Sequence, residues 1–113
     1  MENYKKWLGR EVEVIIDRPI GSVHPKFNNL KYKLNYGYIA GEISEFDNEE
    51  VDAYVLGVSQ PIDKYKGKVI AIIKRSTGDE EYKLVVANKQ YDEKEISKMV
   101  YFQEKFFESK IIL

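Results

Sequence analysis

Apolar residues alternate with polar ones in several short segments of the chain, a pattern that favours β-strands over helices. Residues 11–16 alternate and then run apolar, and residues 51–58 are rich in β-branched and aromatic side chains. The five strands predicted in this way are residues 11–16, 31–39, 51–58, 68–74 and 82–87. Proline, glycine and asparagine lie between these segments and mark turns.

The C-terminal part of the chain has a different period. Asp92 stands three residues before Glu95, which is the spacing of a capping box at a helix N-terminus. Five apolar residues then recur at helical spacing: Ile96, Met99, Val100, Phe106 and Phe107. One helix is therefore predicted from about residue 92 to about residue 109.

Five short strands followed by one helix predict a small barrel with a helix packed on it. We expect a single domain over residues 1–113 of the mainly β (α+β) class, a five-stranded OB-like β-barrel with a C-terminal α-helix. Ile96, Met99, Val100 and Phe106 are expected to pack on the outside of the barrel or across one of its ends. Closure would remove the exposed edges that a small sheet otherwise carries.

Composition narrows the classes of function. The chain has 18 Lys or Arg and 19 Asp or Glu, a net charge of -1, so a general nucleic-acid binder is not expected. Because there is no cysteine, disulfides, thiolate nucleophiles and zinc–cysteine sites are excluded. No apolar run is long enough to span a bilayer, and no apolar signal segment lies near the N-terminus. The expectation is a soluble cytoplasmic protein without a membrane partner.

An acidic stretch is the sharpest chemical feature of the sequence. Its six carboxylates belong to Glu42, Glu45, Asp47, Glu49, Glu50 and Asp52. No Lys or Arg lies between Lys33 and Lys64 to neutralise them. Because Asp52 enters an apolar strand, its charge needs a partner or a bound cation, and oxygen-rich clusters suit Mg2+. The simpler interpretation is an acidic turn that lies in water.

Two further segments carry candidate chemistry. Three carboxylates and a lysine occupy residues 79–83, just before an apolar strand, where an ordinary hairpin turn is the simpler explanation. Two tyrosines occupy residues 35–38, where core packing is the simpler explanation. His24 is the only histidine, lies in a Gly/Pro-rich loop and is given no role.

In chain order, these features form one pattern: Lys26, then Asn35-Tyr36-Gly37-Tyr38-Ile39, then Asp47-Asn48-Glu49-Glu50-Val51-Asp52, then Lys83-Leu84-Val85-Val86. The pattern resembles that of the soluble, magnesium-dependent inorganic pyrophosphatases. That family carries a strand ending in an acidic residue and a proline, a lysine soon after, an NYGYI strand, a D-G-D-x-x-D metal motif and a D-x-K-L-V strand. The resemblance extends over residues 14–107 and describes a shortened, divergent member.

The resemblance implies a set of metal ligands. Asp47, Glu49 and Asp52 match the three acids of the D-G-D-x-x-D motif. Glu49 matches the acid that also helps to deprotonate the attacking water. Glu81 matches a metal-binding acid two residues before the lysine of the D-x-K-L-V strand, and Asp79 is a further candidate ligand.

The resemblance also implies substrate contacts. Lys26 and Lys83 match lysines that bind phosphate, and Tyr36 matches a tyrosine that contacts phosphate. These three residues, with Glu49, are the candidate catalytic residues. Tyr32 matches a tyrosine near the pocket, and Asp17 matches the acid at the end of the first strand.

The chain departs from the family pattern mainly in the phosphate site. Asn28 replaces a glutamate, an arginine before the tyrosine strand has no equivalent, and Phe106-Phe107 replace a Tyr-Lys pair on the helix. Neither phenylalanine can form a hydrogen bond with phosphate. Glu49 and Glu81 replace shorter aspartates. We therefore expect the metal site to retain more of the family's side chains than the phosphate site does.

The function implied by the resemblance is hydrolysis of inorganic pyrophosphate to two phosphates. The implied cofactor is Mg2+, and the implied substrate is pyrophosphate or a related phosphoanhydride. Two other interpretations stay open, because a fold does not by itself establish an activity. One is a catalytically weak homologue that binds metal and a phosphate-bearing ligand, and the other is a β-barrel interaction module whose acidic loop binds a basic partner. Assembly into a homo-oligomer is also left open.

Overall fold

Five strands of the computed structural model close into a barrel, and one helix covers part of its outer surface. The structure describes residues 4–43, 49–76 and 81–113. Its elements, in chain order, are a 3-10 helix (Tyr4–Trp7), β1 (Glu11–Arg18), β2 (Asn35–Ile43), β3 (Glu50–Val55), β4 (Lys64–Arg75), β5 (Tyr82–Ala87), α1 (Glu93–Glu104) and β6 (Ser109–Ile112). The predicted five-stranded barrel with a C-terminal helix is confirmed.

The barrel closes because β4 pairs with β1 as well as with β5. The strands follow the order β1-β2-β3-β5-β4, and residues at the start of β4 then return to β1. Only the pairing of β3 with β5 is parallel among those of the described strands. A register shift in the pairing of β4 with β5 lies between Val69 and Ala71, after the residues of β4 that pair with β1 and before those that pair with β6.

Alternate residues of the five barrel strands point inward and fill the barrel with apolar side chains. This inner cluster consists of Trp7, Val12, Val14, Ile16, Ile39, Val51, Ala53, Val55, Val69, Ile72, Tyr82, Leu84 and Val86. Trp7 is 2% exposed, and its indole Nε1 donates a hydrogen bond to the Tyr82 hydroxyl at 3.1 Å. The period of two along each strand thus produces the core that the alternation predicted.

A second apolar cluster lies between the outer surface of the barrel and α1. Ile96, Val100 and Phe102 of the helix belong to it, together with Tyr54 on β3 and Val85 on β5. β5 is therefore covered on both faces, and all six of its residues are buried. A polar side chain on the outer face of this strand needs a partner within the protein.

The helix begins as predicted but ends earlier. The Asp92 carboxylate accepts a hydrogen bond from the Glu95 backbone, and the Glu95 carboxylate accepts one from the Asp92 backbone, so the capping box is confirmed. The helix ends at Glu104, and residues 109–112 pair with the end of β4 as β6. The expected packing of Phe106 is wrong, because this residue lies beyond the helix and is 63% exposed. The spacing of apolar residues does not show that Ile111 and Ile112 pair with β4.

Strand positions agree with the prediction, whereas strand ends differ. β2 begins at Asn35, four residues later than predicted, because Lys31 forms an isolated bridge with Val23 instead. β4 begins at Lys64, four residues earlier, because its first part pairs with β1. Such ends depend on contacts between distant segments, which local alternation does not contain.

Gly37 lies where β1 and β2 approach too closely for any side chain. A Cβ atom at this position would lie 1.8 Å from the carbonyl oxygen of Ile15. Because that oxygen belongs to the paired backbone of β1, it cannot move without disturbing the barrel. The glycine within the NYGYI segment is thus required by strand packing, whatever the segment does chemically.

We expect Gly37→Ala to lower the free energy of unfolding by about 3 kcal/mol, because the new methyl group overlaps backbone atoms. Urea denaturation of the variant and of the wild type measures the loss. Gly67→Ala is the matched control, since the nearest atom that its methyl group would meet belongs to the movable Tyr65 ring. Equal losses in the two variants would contradict the importance of the backbone contact.

Candidate functional site

Four neighbouring strands place polar side chains close together on the outer surface of the barrel, beside the C-terminal end of α1. Tyr36 lies on β2, Asp52 on β3, Arg75 at the end of β4 and Lys83 on β5. The sequence neighbours of Asp52 and Lys83 fill the barrel, so these two residues point away from it, and Tyr36 belongs to the apolar cluster on the outer surface. The sheet thus gathers residues that are far apart in the sequence.

Lys83 connects two carboxylates. Its Nζ atom donates to Asp52 Oδ2 at 2.7 Å and to Glu81 Oε1 at 2.6 Å. The lysine is only 4% exposed, so its charge has to be compensated where it lies. The Tyr36 hydroxyl donates to the same Asp52 oxygen at 3.1 Å. The partner that Asp52 was expected to need is thus found within the protein, on the neighbouring strands.

A second, more deeply buried ion pair joins the barrel to the helix. Arg75 Nε donates to Glu104 Oε1 at 3.1 Å, and Arg75 Nη2 donates to Glu104 Oε2 at 2.6 Å. Arg75 Nη1 also donates to Glu81 Oε2 at 3.3 Å. Burial alone would raise the pKa of the Glu81 carboxyl, but the hydrogen bonds and positive charges of Lys83 and Arg75 outweigh it and hold the pKa below its ordinary value.

A chain of hydrogen bonds continues from this ion pair across the end of the helix. The Tyr54 hydroxyl donates to Glu104 at 2.6 Å and accepts from Gln103 Nε2 at 2.7 Å. Gln103 Oε1 accepts from the Tyr32 hydroxyl at 2.7 Å, and that hydroxyl accepts from Arg18 Nη1 at 2.8 Å. No buried side-chain nitrogen or oxygen in the described residues lacks a hydrogen-bond partner. We call these hydrogen-bonded side chains the polar layer: Arg18, Tyr32, Tyr36, Asp52, Tyr54, Arg75, Glu81, Lys83, Gln103 and Glu104. Because each of its buried polar atoms has a partner, the layer holds its side chains in defined positions.

Two tyrosine hydroxyls of this layer keep their protons over the whole physiological range. Burial raises the pKa of Tyr36 well above its ordinary value, and the charge of Asp52 raises it further. Burial likewise raises the pKa of Tyr54, with the Glu104 carboxylate adding to the effect. Both hydroxyls therefore act as neutral hydrogen-bond donors.

The polar layer borders a cavity of about 520 Å³. Its lining comprises Arg18, His24, Phe27, Asn29, Leu30, Tyr36, Asp52, Arg75, Lys83, Gln103, Phe106 and Phe107. Three of these side chains are cationic, whereas Asp52 is the one carboxylate among them. Because Arg75 and Lys83 pair with Glu104, Glu81 and Asp52, the attraction of the cavity for anions depends mainly on Arg18.

The structure brings together four of the residues that the sequence analysis selected. Tyr36, Asp52, Glu81 and Lys83 form one hydrogen-bonded group, although Glu81 and Asp52 come from different segments of the chain. Tyr32 belongs to the adjoining network through its hydroxyl.

Asp17, another selected residue, lies at the exposed end of β1 and does not line the cavity. Partial burial raises the pKa of the Asp17 carboxyl, which the neighbouring charge of Arg18 partly offsets.

Of the remaining selected residues, two lie away from the cavity lining and two lie outside the described part. Lys26 and Glu49 are exposed, and neither lines the cavity. Lys26 lies in a loop in which its backbone nitrogen donates to His24 Nδ1 at 3.0 Å. Asp47 and Asp79 lie outside the described residues.

Five residues of the polar layer escaped the sequence analysis: Arg18, Tyr54, Arg75, Gln103 and Glu104. Each arginine is the last residue of its strand, whereas Asp52 was selected at the start of one. Gln103 and Glu104 lie seven and eight positions after Ile96, where the helical period expects apolar residues. Polar residues within an apolar stripe were thus the available signal.

The carboxylates suit a hard cation, although the described part supplies few of them. Within residues 4–43, 49–76 and 81–113 there is no group of three or more metal-ligating side chains. Asp52 and Glu81 have side chains 36% and 37% exposed, so both are accessible to a ligand. Mg2+ commonly binds one or two carboxylates and completes its shell with water and phosphate, and these two side chains fit that chemistry.

Comparison with known proteins finds similar structures but no similar sequence. No protein-family model matches the sequence, and no curated protein sequence matches it. An inorganic pyrophosphatase from Ehrlichia chaffeensis is similar in structure, with a TM-score of 0.67 and 14% identity over 90% of this chain and 84% of that one. An inorganic phosphatase from Anaplasma phagocytophilum has a TM-score of 0.53 and 18% identity, over 80% of this chain and 61% of that one. The chain has a pyrophosphatase-like fold.

The one helix in the described residues that exceeds a single turn is α1, and it is too short and too polar to cross a membrane.

We expect Glu104→Gln to lower the free energy of unfolding by about 3 kcal/mol, because it leaves the charge of Arg75 buried without its main partner. Chemical denaturation measures the loss. Glu108→Gln makes the same change at an exposed position and should be nearly neutral. A Glu104 variant as stable as the Glu108 variant would show that the buried pair contributes nothing.

Proposed function

We propose that this chain hydrolyses pyrophosphate or a related phosphoanhydride with Mg2+ as its cofactor. The observation that carries the proposal is the grouping of Asp52, Glu81 and Lys83 beside a cavity lined by cationic side chains. Carboxylates for a metal and cations for phosphate are the two components that this chemistry requires. The pyrophosphatase-like fold supports the same function.

The proposed metal ligands are acids, of which Asp52 lines the cavity. Asp52 and Glu81 are the accessible pair, and Asp47, Glu49 and Asp79 are the further ligands proposed from the sequence. A bound Mg2+ would offset the charge of the substrate and supply a water of lowered pKa. Glu49, at the exposed end of the acidic segment, is the proposed acceptor of the proton from that water.

The proposed phosphate ligands are cations and one hydroxyl. Lys83 offsets two carboxylates, and its ammonium group becomes available to phosphate oxygens when those carboxylates bind a cation. Arg18 and Arg75 also line the cavity, and they replace the positive charge that the chain lacks relative to the family pattern. The Tyr36 hydroxyl stays protonated and can donate to phosphate.

Lys26 stays a proposed phosphate ligand, because it precedes Phe27 of the cavity rim on an exposed loop.

A second candidate is a homologue that binds the same ligand without turning it over. It is favoured by the hydrogen bonds of Lys83, whose Nζ atom lies 2.7 Å from the Asp52 carboxylate and 2.6 Å from the Glu81 carboxylate and neutralises both. A metal has to compete with this buried ammonium for Asp52 and Glu81. If Lys83 keeps both carboxylates, no metal binds to them and no water is activated. The cavity then binds an anionic ligand without hydrolysing it.

We expect purified protein to release phosphate from pyrophosphate only when Mg2+ is present. Lys83→Ala should lower the rate at least about ten-fold, because a charge-assisted hydrogen bond to the substrate contributes about 1.5–3 kcal/mol. Lys66→Ala is the matched control, since Lys66 is exposed and does not line the cavity.

Wild-type protein that releases no phosphate at any Mg2+ concentration would overturn the proposed hydrolysis and leave the second candidate. Equal rates for the wild type and Glu49→Gln would leave hydrolysis standing and remove Glu49 as the proton acceptor.

Magnesium affinity tests the ligand set separately from turnover. We expect Asp52→Asn to weaken Mg2+ binding about ten-fold or more in isothermal titration calorimetry, because an amide oxygen lacks the charge of a carboxylate. Glu11→Gln, an exposed change on β1, should leave the affinity unchanged. An unaltered affinity in Asp52→Asn would show that the cation binds elsewhere.

A further inference from the structure

The cavity is far larger than pyrophosphate requires. Its volume of about 520 Å³ lies within the range of about 300–1,000 Å³ in which proteins bind small organic ligands. Pyrophosphate contains no carbon and makes its contacts through charge and hydrogen bonds. The cationic side of the cavity suffices for those contacts, so the rest of the lining has no counterpart in that ligand.

Aromatic side chains form the part of the lining that pyrophosphate does not use. Phe27 and Phe106 are 57% and 63% exposed and lie on the rim of the same cavity as Arg18 and Lys83. The His24 ring lies beside that of Phe27, with ring centroids 4.8 Å apart. Exposed rings next to a cationic pocket provide flat apolar surfaces on which a planar group can stack.

Phe107 has a different environment. The guanidinium carbon of Arg75 lies 3.7 Å from the centre of its ring, so one face of the ring is already covered by a cation. This phenylalanine holds Arg75 in place, whereas Phe27 and Phe106 present the more exposed surfaces. Phe106 keeps more of its ring exposed than Phe107 does, although the Nζ atom of Lys105 lies 5.3 Å from the centre of that ring.

We propose that the cavity binds a nucleoside diphosphate or triphosphate, with the phosphates against Arg18, Arg75 and Lys83 and the base against Phe27 and Phe106. This inference rests on the proposed function, because it assigns the phosphoanhydride of the ligand to the same cations. It adds the organic group that the ligand carries.

The polar part of the rim favours a base over an aliphatic tail. Asn29 lies in the lining and offers both a donor and an acceptor. His24 Nδ1 accepts a hydrogen bond from the Lys26 backbone, so the neutral ring carries its proton on Nε2 and can donate. The edge of a nucleobase can pair with these groups, whereas a prenyl chain would leave them unpaired.

Hydrolysis of such a ligand follows the chemistry already proposed for pyrophosphate. The oxygen of water forms a bond with the terminal phosphorus, and the bond from that phosphorus to the bridging oxygen breaks. The bridging oxygen stays with the nucleoside phosphate, and a proton of the water passes to Glu49, the proposed acceptor, and from there to solvent. The base does not take part in the reaction and serves to hold the ligand.

Calorimetric titration with ADP, pyrophosphate and isopentenyl diphosphate, each with Mg2+, tests the inference. We expect ADP to bind about ten-fold more tightly than the other two, because stacking of a base on aromatic rings strengthens binding by about that factor or more. Phe27→Ala and Phe106→Ala should each weaken ADP binding about ten-fold and leave pyrophosphate binding unchanged. Tyr101→Ala removes a ring that is 62% exposed but does not line the cavity, and should change neither.

The outcomes separate this inference from the proposed function. ADP that binds no more tightly than pyrophosphate would overturn the inference and leave the pyrophosphate site standing. Isopentenyl diphosphate that binds as tightly as ADP would show that the cavity does not select a base over an aliphatic group, and would overturn the inference. Failure of every diphosphate to bind would overturn the anion site itself, and the proposed function with it. Loss of pyrophosphate binding in the phenylalanine variants would show that the rings support the site and do not select a base.

Discussion

The burial of charge on the outer face of the barrel constrains the rest of this structure. β3 and β5 are enclosed by the barrel core on one side and by α1 on the other, yet they carry Asp52 and Lys83. A lysine that is 4% exposed is stable only beside negative charge, and Asp52 and Glu81 supply it. The strands have to pair so that Asp52 and Glu81 lie beside Lys83. The end of the helix and the shape of the cavity have to leave these contacts intact.

The same constraint explains why the helix carries polar residues where its period expects apolar ones. Glu104 pairs with Arg75, and Gln103 connects two tyrosine hydroxyls. Helix and barrel are therefore held together by directional bonds as well as by apolar contact. Hydrogen bonds fix orientation more strictly than apolar packing does, so the end of α1 has a defined position over the cavity.

Local patterns in the sequence were sufficient to predict the barrel and the capped start of the helix. Alternation located all five barrel strands, because each has one face in a continuous core. It did not show β6, since Ile111 and Ile112 become strand residues only through their pairing with β4. In the candidate site, Glu81 and Lys83 were selected through the resemblance to pyrophosphatases, and Asp52 stood out because it enters an apolar strand. Arg18 and Arg75 did not, because what identifies them is proximity across strands that the sequence order separates.

The closure of the barrel has a consequence for how the chain folds. β1 pairs with β4 through contacts such as Glu11 with Lys68, and β3 pairs in parallel with β5, so neither contact can form within a local hairpin. Each requires a long segment to be ordered before the pairing compensates for the lost chain entropy. Folding rates fall as contacts become more distant in sequence. The chain should accordingly fold slowly for its length, and the polar layer between barrel and helix is complete only after the last strands have paired.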